Sequence, residues 1–83
     1  MKRQIVVIGL GRFGTSVAET LSQIGHDVLA IDSKDSPVQN LAPKVTHAIQ
    51  ADATNETILR ELGINNFDIA VVAIGTGIES SVL

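Results

Sequence analysis

The run Gly9-Leu10-Gly11-Arg12-Phe13-Gly14 constrains this chain most: three glycines at G-x-G-x-x-G spacing, placed where the apolar period changes. Residues 4–9 read QIVVIG, β-branched and continuous, as a strand buried on both faces reads. After the run, Phe13, Val17, Leu21 and Ile24 recur at spacings of four, four and three, one apolar stripe on a helix over residues 12–24. A strand that turns directly into a helix leaves the first helical N–H groups, and the positive end of the helix dipole, facing open space. Such an end holds an anion, a phosphate above all. Each glycine has its own task. Gly9 permits the sharp exit from the strand, Gly11 lets a diphosphate approach the backbone, and Gly14 lets the helix pack closely on the sheet. With seven glycines in 83 residues the spacing alone is weak, and a tight turn without a ligand is the alternative. The strand before it and the helix after it are what give it weight.

The same alternation of periods runs on. Gly25 reads as a left-handed helix cap, and residues 28–31 as a second, short strand. Asp35-Ser36-Pro37 reads as a cap followed by proline in the first turn of a short helix with Val38, Leu41 and Ala42 facing inward, stopped by Pro43. Residues 45–50 form a third strand, less apolar and so nearer an edge. Thr54 or Asn55 caps a third helix whose inner face carries Ile58, Leu59 and Leu62, and Gly63-Ile64 ends it. Residues 67–74 are a fourth strand with VVAI at its heart; Gly75-Thr76-Gly77 is a loop, and a helix begins at Ile78. Strands alternating with helices imply a parallel sheet with right-handed crossovers. The expected fold is therefore α/β, a Rossmann-type parallel sheet of order 3-2-1-4 with helices on both faces. It reads as truncated after the fourth strand and the start of the next helix. An apolar fourth strand with nothing to pair its far side is an aggregation hazard, so either further chain or a partner subunit is expected to cover it. The first is the favoured reading, with residues 1–83 the N-terminal part of a larger domain.

The chemistry gathers where the strands end. Asp32 closes the second strand 18 residues after Gly14, where a carboxylate accepts hydrogen bonds from ribose hydroxyls and repels a 2′-phosphate. NADP is thereby disfavoured; an ordinary helix-capping aspartate is the other reading. Asp52, followed by Ala53 and Thr54, closes the third strand on the same rim, and either reaches an adenine amino group or caps the next helix. Gly75 ends the fourth strand beside the first, where strand order reverses and ligands settle. Arg12 departs from a generic dehydrogenase loop. A forked guanidinium suits a diphosphate or a terminal phosphate, which points to ATP or ADP alongside NAD(H); a solvated helix-start arginine is the alternative.

Other classes fall away. The net charge of −3 lacks the basic face a nucleic-acid platform needs. No apolar run approaches the ~20 residues that span a bilayer, so direct membrane insertion is not expected. Without cysteine there is neither a disulfide framework nor a thiolate metal site. His26 and His47 have no nucleophile or paired carboxylate near them in sequence, and both read as structural; no catalytic group and no metal site is expected. Glu79 could meet a cation, but glutamates in first helical turns are commonplace. A composition 45% apolar and 18% charged is that of a globular domain, and a cytoplasmic one is the simplest reading.

Four short pieces together are more specific than the glycines. Gly11-Arg12-Phe13-Gly14, Gly25-His26-Asp27-Val28, Asp52-Ala53-Thr54 and Leu62-Gly63-Ile64 resemble the cytoplasmic regulatory domain of potassium transporters and channels, called RCK, KTN or TrkA-N. The likeness is greatest to Ktr/Trk-type regulatory subunits of bacterial potassium uptake systems, and runs from about Gln4 to the end. The resemblance implies a nucleotide-binding regulatory (gating) subunit rather than an enzyme. Such subunits pair as homodimers, assemble as a ring under a membrane-embedded potassium-transporting subunit, and change shape on exchange of ATP, ADP or NAD(H). It implies Gly9, Gly11, Arg12, Phe13 and Gly14 around the phosphates, Asp32 on the ribose, and Asp52, Ala53 and Thr54 at the adenine. It also implies a place at the inner face of the cell membrane, held there through the partner. A complete domain of this family continues through two more strands and usually a second lobe. The alternative is the NAD-binding half of a dehydrogenase, which would need a substrate domain and a proton-transferring residue.

Overall fold

The computed structural model of the chain describes residues 2–73 and the backbone of residues 81–82. Its elements are β1 (Gln4–Ile8), α1 (Arg12–Ile24), β2 (Asp27–Asp32), α2 (Asp35–Leu41), β3 (His47–Gln50), α3 (Glu56–Glu61), β4 (Ile69–Val72) and β5 (Ser81–Val82). Single 3-10 turns at Ala42–Lys44 and Ile64–Asn66 lead into β3 and β4. The sheet order is β3-β2-β1-β4-β5, with β1 to β4 mutually parallel. The expected 3-2-1-4 order is therefore present.

Chain direction across the sheet decides which face each helix covers. From β1 through β2 to β3 the chain steps one way, and right-handed crossovers lay α1 and α2 on one face. The step from β3 back to β4 runs the other way, so α3 falls on the opposite face. Side chains of the central strands alternate accordingly. Ile5, Val7, Val28, Ala30 and Val71 pack with Ala18 of α1 and with Val38 and Leu41 of α2. Val6, Ile8, Leu29 and Ile31 point the other way, toward Leu59, Leu62, Ile64 and Phe67. Ile5, Val6, Val7, Val28 and Ile31 are all but fully buried, each contributing ~1.5–3 kcal/mol on transfer from water.

The expected element order holds, with four corrections. α2 begins at Asp35 itself, with Lys34 as an N-cap whose side chain makes no capping bond, so the expected cap in Asp35-Ser36 is not formed. The inward line of α1 is Gly14 and Ala18, both buried, with Val17 and Leu21 half-buried beside them, whereas Phe13 is 45% and Ile24 66% exposed. The two smallest side chains let the helix approach the sheet, and that turns the large residues at the stripe's margin outward. Ala42 is exposed, because the 3-10 turn with Pro43 rotates it off the inner face of α2. Residues 81–82, expected to be helical, form a short antiparallel strand on β4, with Val82 opposite Val71 and Ser81 opposite Val72. Backbone pairing on the open edge of β4 prevails there. Gly75, the loop 75–77 and Glu79 lie outside the described residues.

Gly25 has φ 114°, and the N–H groups of Gly25 and His26 return to the carbonyls of Ser22 and Leu21, closing α1 with a left-handed cap. Gly63 makes the same left-handed turn after α3 at φ 74°.

Candidate nucleotide site

β1, β2 and β3 end on one edge of the sheet, and a cleft of about 420 Å³ opens between their exits. That volume lies within the range of small-ligand sites. One wall is the β1–α1 turn. Gly9 takes φ 95°, a left-handed conformation that suits glycine, and its N–H donates to the Ile31 carbonyl at 2.8 Å. Leu10 drops its side chain into the core at 4% exposure, so the loop is pinned from below. Gly14 lies beneath the loop: a Cβ there would stand 1.8 Å from the Gly9 carbonyl oxygen. At Gly11 a Cβ would meet nothing within 4 Å, so the space above it is open. Gly11 is the N-cap of α1, with no side-chain cap and no acidic residue in the first turn. The first turn of a 13-residue helix thus begins beside the cleft with neither a side-chain cap nor an acid to compensate its dipole.

The second wall is Asp32, at the end of β2. Its Oδ2 accepts from the Leu10 N–H at 2.7 Å and its Oδ1 from the Lys34 N–H at 2.8 Å. Lys34 is the N-cap of α2, and no side chain caps that helix, so Asp32 is not a helix cap. Each carboxylate oxygen keeps a further lone pair for a hydroxyl donor. The third wall is Asp52-Ala53-Thr54. Asp52 Oδ1 accepts from the Thr54 N–H at 2.9 Å and the Thr54 hydroxyl at 2.6 Å. Those two bonds, the hydroxyl's first, hold the Asp52 carboxyl below the usual carboxylate range. Asn55, not Asp52 or Thr54, caps α3, its Oδ1 accepting from the N–H groups of Thr57 and Ile58.

Of the residues expected at the site, Gly9, Gly11, Asp32, Asp52, Ala53 and Thr54 line one cleft. Arg12 does not: it borders a neighbouring groove of about 560 Å³ with Thr15, Ser16, Glu19 and Lys44, which shares Leu10, Gly11 and Pro37 with the cleft. Lys44 is tied to Glu19 at 3.1 Å in that groove. Phe13 is outside the cleft wall and exposed, and Gly14 supports the loop from behind. Ser33, Lys34 and Pro37 line the cleft without having been expected there. Their signal in the sequence is adjacency: a chain leaving the rim at Asp32 must pass along the cleft before α2 begins. Among the described residues no group of three His, Cys, Asp or Glu could hold a metal ion, and no helix is long and apolar enough to cross a membrane.

Open space at an uncapped helix start, with an acid on the neighbouring strand's rim, is the arrangement of a nucleotide-binding α/β domain. The family model for the TrkA-N domain matches residues 5–83. The chain belongs to the TrkA-N family. The TrkA-N fold is a Rossmann-like nucleotide-binding fold. The chain is similar to Ktr system potassium uptake protein C of Bacillus subtilis, 45% identical over 83 residues, all of this chain and 38% of that protein. It is 48% identical to Ktr system potassium uptake protein A of the same organism over 81 residues, 98% of this chain and 36% of that protein. The like-named protein A of Vibrio alginolyticus is 40% identical over 98% of this chain and 37% of its own length. This TrkA-N chain thus spans less than two fifths of the length of these relatives.

Proposed function

We propose that this chain is the nucleotide-binding part of a regulatory, gating subunit of a potassium uptake transporter or channel, sensing ATP/ADP or NAD(H). One observation carries the reading: the open space above Gly11 at the uncapped start of α1, facing Asp32 across the cleft. The similarity to Ktr proteins supplies the potassium context. In this reading residues 1–83 are the N-terminal part of a longer Rossmann-like domain. The amides from Gly11 onward hold the diphosphate, Asp32 takes the ribose hydroxyls and refuses a 2′-phosphate, and Ala53-Thr54 with Asp52 border the adenine. Arg12, in the groove that shares Gly11 with the cleft, meets a third phosphate.

The subunit works by population shift rather than by catalysis: a nucleotide moves an oligomer only as far as it binds one shape better than the other. The oligomer is a homodimer assembled into a ring, on the cytoplasmic side of a membrane-embedded potassium-transporting partner. Calorimetric titration with ATP, ADP, NADH and NADPH, beside an Arg12→Ala variant, tests this. The expected result is separate affinities for ATP and ADP, loss of that difference in Arg12→Ala, and refusal of NADPH. Tight binding of NADH alone, unchanged by Arg12→Ala, would overturn the phosphate-sensing role.

A further inference from the structure

The Asp32 carboxylate has a second set of partners that ribose binding does not explain. Leu10, in the middle of the glycine loop, is 22 residues away in sequence, yet its N–H donates to Asp32 Oδ2 at 2.7 Å in a half-buried setting. The other oxygen holds the Lys34 N–H at 2.8 Å. A charged acceptor on a backbone amide is a strong hydrogen bond, and here it crosses from one wall of the cleft to the other. The preceding amide, Gly9, is also drawn toward β2, onto the Ile31 carbonyl. Two consecutive loop amides are thereby committed to β2, so the amides left to a ligand are those at the start of α1, from Gly11 onward.

We propose that Asp32 is a positioning residue for the phosphate loop: it clamps Leu10 and so sets the direction of the α1 amides before any nucleotide arrives. The ribose and diphosphate subsites are then coupled through one side chain. A hydroxyl bound at Asp32 and a phosphate bound at Gly11 each favour the same loop shape. The clamp also holds the carboxylate in place, so it cannot swing away to admit a 2′-phosphate.

The ligand arm of the test rests on the nucleotide reading above; the amide arm does not. ADP and inorganic pyrophosphate are titrated into the wild type, Asp32→Ala and Asp32→Asn, and Leu10 amide exchange is followed by NMR without ligand. Pyrophosphate has no ribose. If Asp32 positions the loop, Asp32→Ala weakens pyrophosphate by about tenfold or more. It also speeds Leu10 exchange by a comparable factor relative to the Val6 and Val7 amides, which report that the sheet is intact. Asp32→Asn, keeping one acceptor oxygen, falls between. Loss of ADP affinity with pyrophosphate affinity and Leu10 exchange unchanged would overturn the clamp and leave Asp32 a ribose ligand alone. A wild type that ignores both ligands would overturn the nucleotide reading, while Leu10 exchange in Asp32→Ala still decides the clamp.

Discussion

α1 and α3 each follow a strand that ends on the same edge of the sheet, α1 after three residues and α3 after five, and they start in opposite ways. α3 satisfies itself: Asn55 accepts from two of its first amides, and Glu56 sits in its first turn. Asp52 and Thr54 tie down the turn before it. α1 does none of this. Its N-cap is a glycine, no side chain caps it, and its first turn carries no acid. A capping side chain adds about 1 kcal/mol to a helix. The fold takes that stabilisation in a six-residue helix and leaves it out of a 13-residue one. The difference teaches where an anion belongs. In the proposed reading the uncapped start of α1, beside open space, is where an anion binds, whereas the first amides of α3 are already taken by Asn55.

The comparison breaks most severely at Gly14, where the α1 start depends on a backbone contact. Gly14→Ala drives a Cβ into the Gly9 carbonyl and is expected to cost about 3 kcal/mol or more in denaturant unfolding, a large share of the stability of so small a domain. Gly11→Asp converts α1 into a copy of α3. It is expected to lower ADP affinity by at least about tenfold, because a carboxylate then occupies the amides a phosphate needs, while thermal stability holds or rises by up to about 1 kcal/mol. Asn55→Ala makes the reverse change. It should cost about 1 kcal/mol of stability and leave ADP affinity unaltered in calorimetry. The smallest effect is at Asp52. Its folded-state carboxyl lies below the ordinary carboxylate range, so the stability it adds is present above the unfolded value and is lost as pH falls through the folded one. Acid titration of unfolding should show that loss in the wild type, and Asp52→Asn should abolish this part of the pH dependence.

Much of this contrast was legible in the residues. The glycine spacing, the switch from a β-branched run to a helical stripe, and acids at the ends of the second and third strands place Asp32 and Asp52 on one rim, because parallel strands all end on the same edge. What stayed hidden depended on fine distances. Asn55 and Thr54 are equally good caps in sequence, and backbone geometry chooses Asn55. Phe13 and Ile24 belong to a helical stripe by size, but Gly14 and Ala18 decide which line of α1 touches the sheet. Arg12 lies one step around the helix from the cleft, and periodicity alone cannot say on which side of Gly11 its groove falls. The pairing of Ser81–Val82 with β4 comes from two residues of backbone, too few to carry a strand period.

The most direct measurement is a backbone amide NMR titration of the chain with ADP. If the start of α1 is the phosphate site, the amides of Gly11, Arg12 and Phe13 shift most, with Asp32 and Ala53 following, and those of Thr57 and Ile58 at the capped start of α3 stay fixed. Shifts confined to α3, or none at the start of α1 at saturating ADP, would contradict the account.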